Sequence, residues 1–399
     1  MLSKSGTFTF ILFAGGLFAF SPLSTDMYIP ALPSLAQSLN TTVPAVQLTL
    51  SVYLLGFALS QLFYGPIADR FGRKPTILGG IAIYTVGSVV CMMAGSIEML
   101  VVGRFVQAMG AAFGQILGRA VIRDLAKPEE SARILAYATV IMGGTSLITP
   151  SMGGLITVYF GWQIIFAVLI GYAVIYFLIV SIGFRESVVA LNRDAIRPTQ
   201  MLANFGVLLR HRLFLRNTVS ISFMFGTLFT FLSGSSFLFI GVYGVPTTRF
   251  GLIFTAMAAA FTIASAVVGR VGGRMPHDVI YRMAATGAML SAFAALAMVV
   301  AGWINIVALV GAMAVLSFAM GIMVPLAFAG SMAPYPAMAG TASTLIGFIQ
   351  SVFSAAMGAL VGLLFDGTGV PMFALIAALT TGALLSFILI RPTPALRTA

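Results

Sequence analysis

The sequence predicts an all-α polytopic membrane protein, with twelve transmembrane helices in two six-helix, pseudo-symmetric bundles. Three observations carry that prediction. The chain is 60% hydrophobic and only 8% charged over 399 residues, whereas a soluble domain carries about 25% charged residues. Its apolar runs recur as roughly 20-residue segments, the length at which a helix crosses ~30 Å of hydrocarbon. None of the runs alternates with the two-residue period of a membrane barrel strand, so the spanning elements are helices.

Taken in order, the apolar runs place spans at 7–28, 45–66, 76–95, 99–120, 134–158, 162–183, 217–240, 250–271, 279–301, 305–328, 341–364 and 370–390. The first follows Lys4 and has the outline of a signal peptide, but no A-x-A cleavage site follows it, so it is expected to be retained. Trp162 and Trp303 fall at span boundaries, where the interfacial aromatic belt lies. Residues 184–216 form the longest non-apolar stretch, a basic linker between an N-terminal bundle, 1–183, and a C-terminal bundle, 217–399. A faint echo relates the halves: "GPIADRFGRKP" from Gly65 aligns with "GRVGGRMP" from Gly269. Two repeats about an axis normal to the membrane is one known transporter plan.

The charges give the topology. An even number of spans puts both termini on one face. With that face cytoplasmic, 19 of the 21 basic residues lie inside, leaving Arg249 outside and Arg104 within a span. The net charge of +11 is therefore positive-inside bias rather than a nucleic-acid surface. A single cysteine, Cys91, excludes an intrachain disulfide framework and a multi-cysteine metal site.

Ten acids remain to be placed. Asp69, Asp124, Glu129, Glu130, Glu186, Asp194 and Asp278 fall in cytoplasmic loops, and Glu98 and Asp366 outside; only Asp26 falls within a span. A mid-bilayer charge costs roughly 2.5–3.5 kcal/mol on insertion scales, which makes such a residue functional by default. Protonation removes most of that cost. The plainer alternative is that Pro30, four residues on, breaks the helix and Asp26 merely caps or solvates the broken end. By rise per residue, Asp26 and Arg104 both lie in the outer part of the membrane. Arg104 and Gln115, eleven residues apart, share one helix face with Ala111 between them, a polar stripe suited to a water-filled cavity.

Three motifs add a resemblance. "GPIADRFGRKPTIL" (65–78) resembles the signature loop of the major facilitator superfamily through Gly65, Asp69, Arg70, Gly72, Arg73 and Lys74. Its glycines permit a tight reversal, and its cations hold the cytoplasmic face. "LVVGRFVQAMGAA" (100–112) resembles the motif of proton-coupled members through Arg104 and Gln107, with Ala108 where glycine is usual. "TPSMGG" (149–154) resembles the antiporter motif through Pro150, Gly153 and Gly154, with Thr149 replacing the usual glycine; close helix packing is its plainer reading. With "DMYIPALPS", "GFALSQLFYGP" and "MAGTASTL", the chain resembles the twelve-span drug:proton antiporters of the bicyclomycin/chloramphenicol-resistance type.

That resemblance implies the major facilitator fold in a bacterial inner membrane, with both termini cytoplasmic. It implies a monomer with no cofactor, driven by the proton gradient, whose partners are lipid, protons and a small-molecule substrate, with no nucleic acid and no enzymatic activity. Asp26 would exchange a proton and pair with Arg104, while Gly65, Asp69, Arg70, Gly72, Arg73, Pro150, Gly153 and Gly154 would serve conformational gating. Aromatic, amide and small polar residues suggest the substrate cavity: Tyr28, Tyr53, Gln61, Gln107, Gln115, Tyr137, Phe223, Phe229, Ser233, Ser235, Phe237 and Gln350. Apolar walls with few polar anchors suit amphipathic drug-like cargo. The competing reading is proton-coupled import or export of a small metabolite or metal ion. Against a metal stand the scattered methionines, and against a membrane enzyme the position of both histidines, His211 and His277, in loops.

Overall fold

A computed structural model describes residues 8–188, 191, 198–271, 275–332 and 338–390. Lys4, Arg193, Arg197, Arg274, Arg391, Arg397 and Asp194, all used in the charge assignment, lie outside the described residues, as do positions 272–274 of the echo that begins at Gly269. The described chain is helical throughout, in the order α1 (Phe8–Asp26), a 3-10 turn (Ile29–Ala31), α2 (Leu32–Ser38), α3 (Val43–Phe71), α4 (Arg73–Met92), α5 (Ile97–Ala111), α6 (Phe113–Leu125), α7 (Pro128–Phe160) and α8 (Gln163–Leu178). There follow α9 (Pro198–Arg210), α10 (Arg212–Ser236), α11 (Thr247–Val271), α12 (His277–Val300), α13 (Ile306–Met332), α14 (Ala339–Leu363) and α15 (Val370–Leu389). With α1 and α2 joined as one span and α5 and α6 as another, twelve spans among the described residues are long and apolar enough to cross a membrane, one for each expected span.

The first span is longer than its apolar run suggests. It extends over 31 residues to Ser38, so Asp26 stands well inside it rather than near its outer end. Pro30 and Pro33 lie beyond the end of α1, and each falls at the start of the next short helix, where a missing N–H costs nothing. Elsewhere the stops are local. Thr42 and Ser96 accept hydrogen bonds from the Ala45 and Met99 amides and so cap α3 and α5. Gly72, at φ +101°, turns the chain between α3 and α4 in a conformation open to glycine.

The chain divides into two compact units, one of residues up to 196 with 232–255, the other of 197–231 with 256 onward. Residues 232–255 join the first unit through named contacts. Gln47 Nε2 donates to the Ser233 carbonyl at 2.8 Å, and the Thr255 hydroxyl donates to the Leu147 carbonyl at 3.1 Å. Within this unit α4 and α5 approach so closely that a Cβ on Gly87 would strike the Gln107 backbone, and one on Gly110 the Tyr84 backbone. Small residues let membrane helices meet at this range, where van der Waals contact and polar links hold them. In the second unit, the Tyr281 ring of α12 stacks on Phe387 of α15 with centroids 4.0 Å apart, and Ser220 of α10 donates to the Ala383 carbonyl.

Candidate functional site

Arg104 projects from α5 and is completely buried. Its Nη1 donates to the Ser24 carbonyl of α1 at 3.0 Å and to Gln107 Oε1, one turn along, at 2.6 Å. Gln107 is fixed in turn, with Nε2 donating to Ser88 Oγ at 2.8 Å while Ser88 donates back to the Tyr84 carbonyl. Two rings complete the enclosure. The guanidinium carbon lies 4.4 Å from the Tyr28 centroid and 4.2 Å from that of Tyr53. Tyr28 is anchored by a 2.8 Å bond to Thr49 Oγ1.

No carboxylate lies within 4.0 Å of this cation among the described residues, and its Nε and Nη2 have no acceptor. Desolvating an arginine costs several kcal/mol. Two charge-assisted hydrogen bonds at ~1.5–3 kcal/mol each and two desolvated cation–π contacts at ~2 kcal/mol each are of the size needed to offset that cost. The site therefore holds a positive charge without a negative one.

Asp26 stands two residues beyond Ser24, at the last position of α1, and is half-buried. Thr25 Oγ1 donates to its Oδ1 at 2.9 Å, and the Ser146 side chain of α7 lies beside its carboxyl. The ion pair expected between Asp26 and Arg104 is absent. Their helices meet through the Ser24 carbonyl, and the Tyr28 and Tyr53 rings take the guanidinium instead. The antiporter-like motif approaches the same place: a Cβ on Gly153 of α7 would collide with the Met27 carbonyl, one residue after Asp26. A Cβ on Gly154 would strike the Thr247 carbonyl.

The loop between α3 and α4 forms a second charged cluster. Arg73 Nη1 meets Asp69 at 2.6 Å and its Nε meets Asp124 of α6 at 3.0 Å. Glu186, beyond α8, accepts from the backbone amides of Arg73 and Lys74 at the start of α4, and from those of Ser187 and Val188. Partial burial pushes the Glu186 carboxyl up, but these four N–H donors outweigh it and hold the group below its usual range. Nothing in the order of the sequence marked Glu186 or Asp124 as partners of this loop, because both lie far from it along the chain.

A family model described as Major Facilitator Superfamily matches residues 14–359. The chain belongs to the Major Facilitator Superfamily. Among curated superfamily relatives, it is 30% identical to a bicyclomycin resistance protein homolog of Haemophilus influenzae, covering 97% of each chain. It is 27% identical to multidrug resistance protein D of Escherichia coli, over 85% of this chain and 84% of that one. A crystal structure of a bacterial homolog of the human lysosomal transporter Spinster shares the fold, with TM-score 0.74 and 14% identity over 97% of this chain and 99% of that one.

For this superfamily member, the residues expected to line a substrate cavity separate into groups. Tyr28, Tyr53 and Gln107 are brought together, but fully buried around Arg104 rather than facing open space. Along the stripe of Arg104, Ala111 and Gln115, the tyrosine rings cover the guanidinium and Ala111 is buried. Gln115, half-buried, directs Nε2 toward Met142 Sδ at 3.9 Å. Tyr137 is 45% exposed beneath Arg133, and Gln61 is half-buried on α3. Ser233, Ser235 and Phe237 are buried where α10 passes into a π-helical turn (Phe237–Val242). In the second unit, Phe223 meets Phe353 edge-on at 5.1 Å, Phe229 is half-buried, and Gln350 Oε1 has no partner. Sequence reasoning missed Ser24, whose contribution is a backbone carbonyl and carries no side-chain signal, and also Tyr84, Ser88 and Ser146.

Proposed function

We propose that the protein is a proton-coupled secondary transporter that exports small amphipathic drug-like molecules, with Asp26 and Arg104 as the coupling pair. One observation carries the reading: a wholly buried arginine with two vacant N–H donors is tied to the α1 backbone two residues from a half-buried aspartate. The resistance relatives, named for bicyclomycin and for multiple drugs, support the class of cargo.

In the mechanism, protonated Asp26 is neutral and leaves Arg104 to the Ser24 carbonyl, Gln107 and the two rings. Loss of that proton creates a carboxylate that claims the vacant Nε and Nη2 of Arg104, drawing α1 toward α5. Either state leaves the site with at most one ion pair and no unmatched anion, which the low dielectric requires. Alternating access then follows from the two six-helix halves, 1–183 and 217–399, exchanging which face is open. The Arg73–Asp69–Asp124 cluster and the Gly153 contact are the gating elements. The protein works as a monomer in the bacterial inner membrane with both termini cytoplasmic, without cofactor or catalysis.

The test is flux in proteoliposomes of fixed orientation, with phenicols, bicyclomycin-like compounds and lipophilic cations, with and without an imposed pH gradient. Uphill export is expected to need the gradient and to vanish in Asp26→Asn while substrate binding survives. Full uphill export by Asp26→Asn would overturn the assignment, and flux that ignores the gradient would overturn proton coupling.

A further inference from the structure

Independently of transport, the first unit carries a groove of about 610 Å³ on its surface, between α3 and α4 with Met109 of α5 at its base. Phe63, Ile67 and Phe71 lie at i, i+4 and i+8 and form one wall, and Gly79 and Ile83 form the other. Phe63 and Phe71 are more than half exposed. The floor is low because of two glycines. Gly80 admits the Phe113 ring from beneath, and a Cβ on Gly79 would meet no atom within 4 Å.

The groove's chemistry narrows what fits it. The hydroxyls of Tyr64 and Thr76, which line it, are already donated to the Met109 and Gly72 carbonyls. Its walls therefore offer apolar surface and little else. Its end near the Gly72 turn is different. Exposed Arg70 lies with its guanidinium 5.3 Å from the centroid of the Phe71 ring, a lining residue. The neighbouring Asp69 is taken by Arg73, and no carboxylate lies within 4.0 Å of Arg70 among the described residues. The groove thus joins an apolar trough to one uncompensated cation, the complement of an acyl chain ending in an anionic headgroup.

We propose that this groove seats one acyl chain of an anionic phospholipid whose phosphate pairs with Arg70. The experiment reconstitutes the protein in vesicles of equal phosphatidylglycerol and phosphatidylcholine, extracts it in mild detergent, and counts retained phospholipid by native mass spectrometry. Wild type is expected to retain phosphatidylglycerol over phosphatidylcholine by roughly fivefold, the factor that one surface cation contributes. Arg70→Gln, at an exposed position, should erase the headgroup preference while still retaining lipid. Gly79→Leu, whose Cβ meets no atom within 4 Å, should lower retention of both lipids, with helicity and monodispersity unchanged. Equal retention of the two lipids by wild type would overturn the proposal, as would undiminished retention by Gly79→Leu.

Discussion

Arg104 and Arg216 are both buried and both lie 4.2 Å from an aromatic ring centroid, Tyr53 in one case and Phe387 in the other. They differ in their counter-charge. Arg216, in the second turn of α10, makes a two-pronged ion pair with Asp278 in the first turn of α12, at 2.8 and 2.9 Å. Asp278 keeps 46% of its side chain exposed, so a permanent carboxylate there is largely solvated. Arg104 lies inside its span, where a fixed anion would need full desolvation, and it has neutral partners instead. The ion-paired arginine fastens helix ends together; the other keeps its Nε and Nη2 without an acceptor, the vacancy on which the proposed coupling rests.

That contrast can be broken by mutation. The largest effect belongs to Asp26→Asn, for which gradient-driven accumulation should fall to the level of empty vesicles. Next, Arg104→Met should abolish coupling as fully and cost ~1–2 kcal/mol in unfolding free energy, because it strands the buried Gln107 Oε1 but no carboxylate. A loss of several kcal/mol in that variant would mean that Arg104 is chiefly structural. Tyr53→Leu removes one of the two rings and should cost ~2 kcal/mol in thermal or denaturant unfolding, with partial loss of coupled flux. Arg216→Met should lower stability by ~1–2 kcal/mol and spare coupling, less than a fully buried pair would lose because Asp278 is half solvated.

The smallest effect concerns Glu186→Gln, expected to cost under ~1 kcal/mol at neutral pH at so exposed a position. Because the folded protein holds this carboxyl below its ordinary value of 4.5, its contribution is present above that pH. It is lost as the pH falls through the lowered folded value. The stability gap between wild type and Glu186→Gln should therefore close on acidification, and unfolding measured across that range checks the sign.

The twelve spans were legible because apolar length is a property of each segment alone. Asp26 was legible for a related reason, since one acid in an apolar run stands out without any knowledge of its neighbours. The extension of the first span to Ser38 was hidden by Pro30 and Pro33, which look like a terminus but only redirect the helix. The true setting of Arg104 was hidden more deeply. Tyr28 and Tyr53 are aromatic residues in an apolar bundle, and nothing in their spacing separates a ring that faces a cavity from one that shields a cation. The Ser24 carbonyl belongs to the backbone, and Glu186 reaches the α4 amides from 113 residues away along the chain.

Proton release on substrate binding tests the role of Asp26 most directly. Purified protein in weakly buffered detergent solution would be mixed with a transported compound while the pH is followed. Wild type should release about one proton for each molecule bound, from Asp26, and Asp26→Asn should bind and release none. Equal release by Asp26→Asn would place the exchanged proton on another group and leave Asp26 as a helix-end residue.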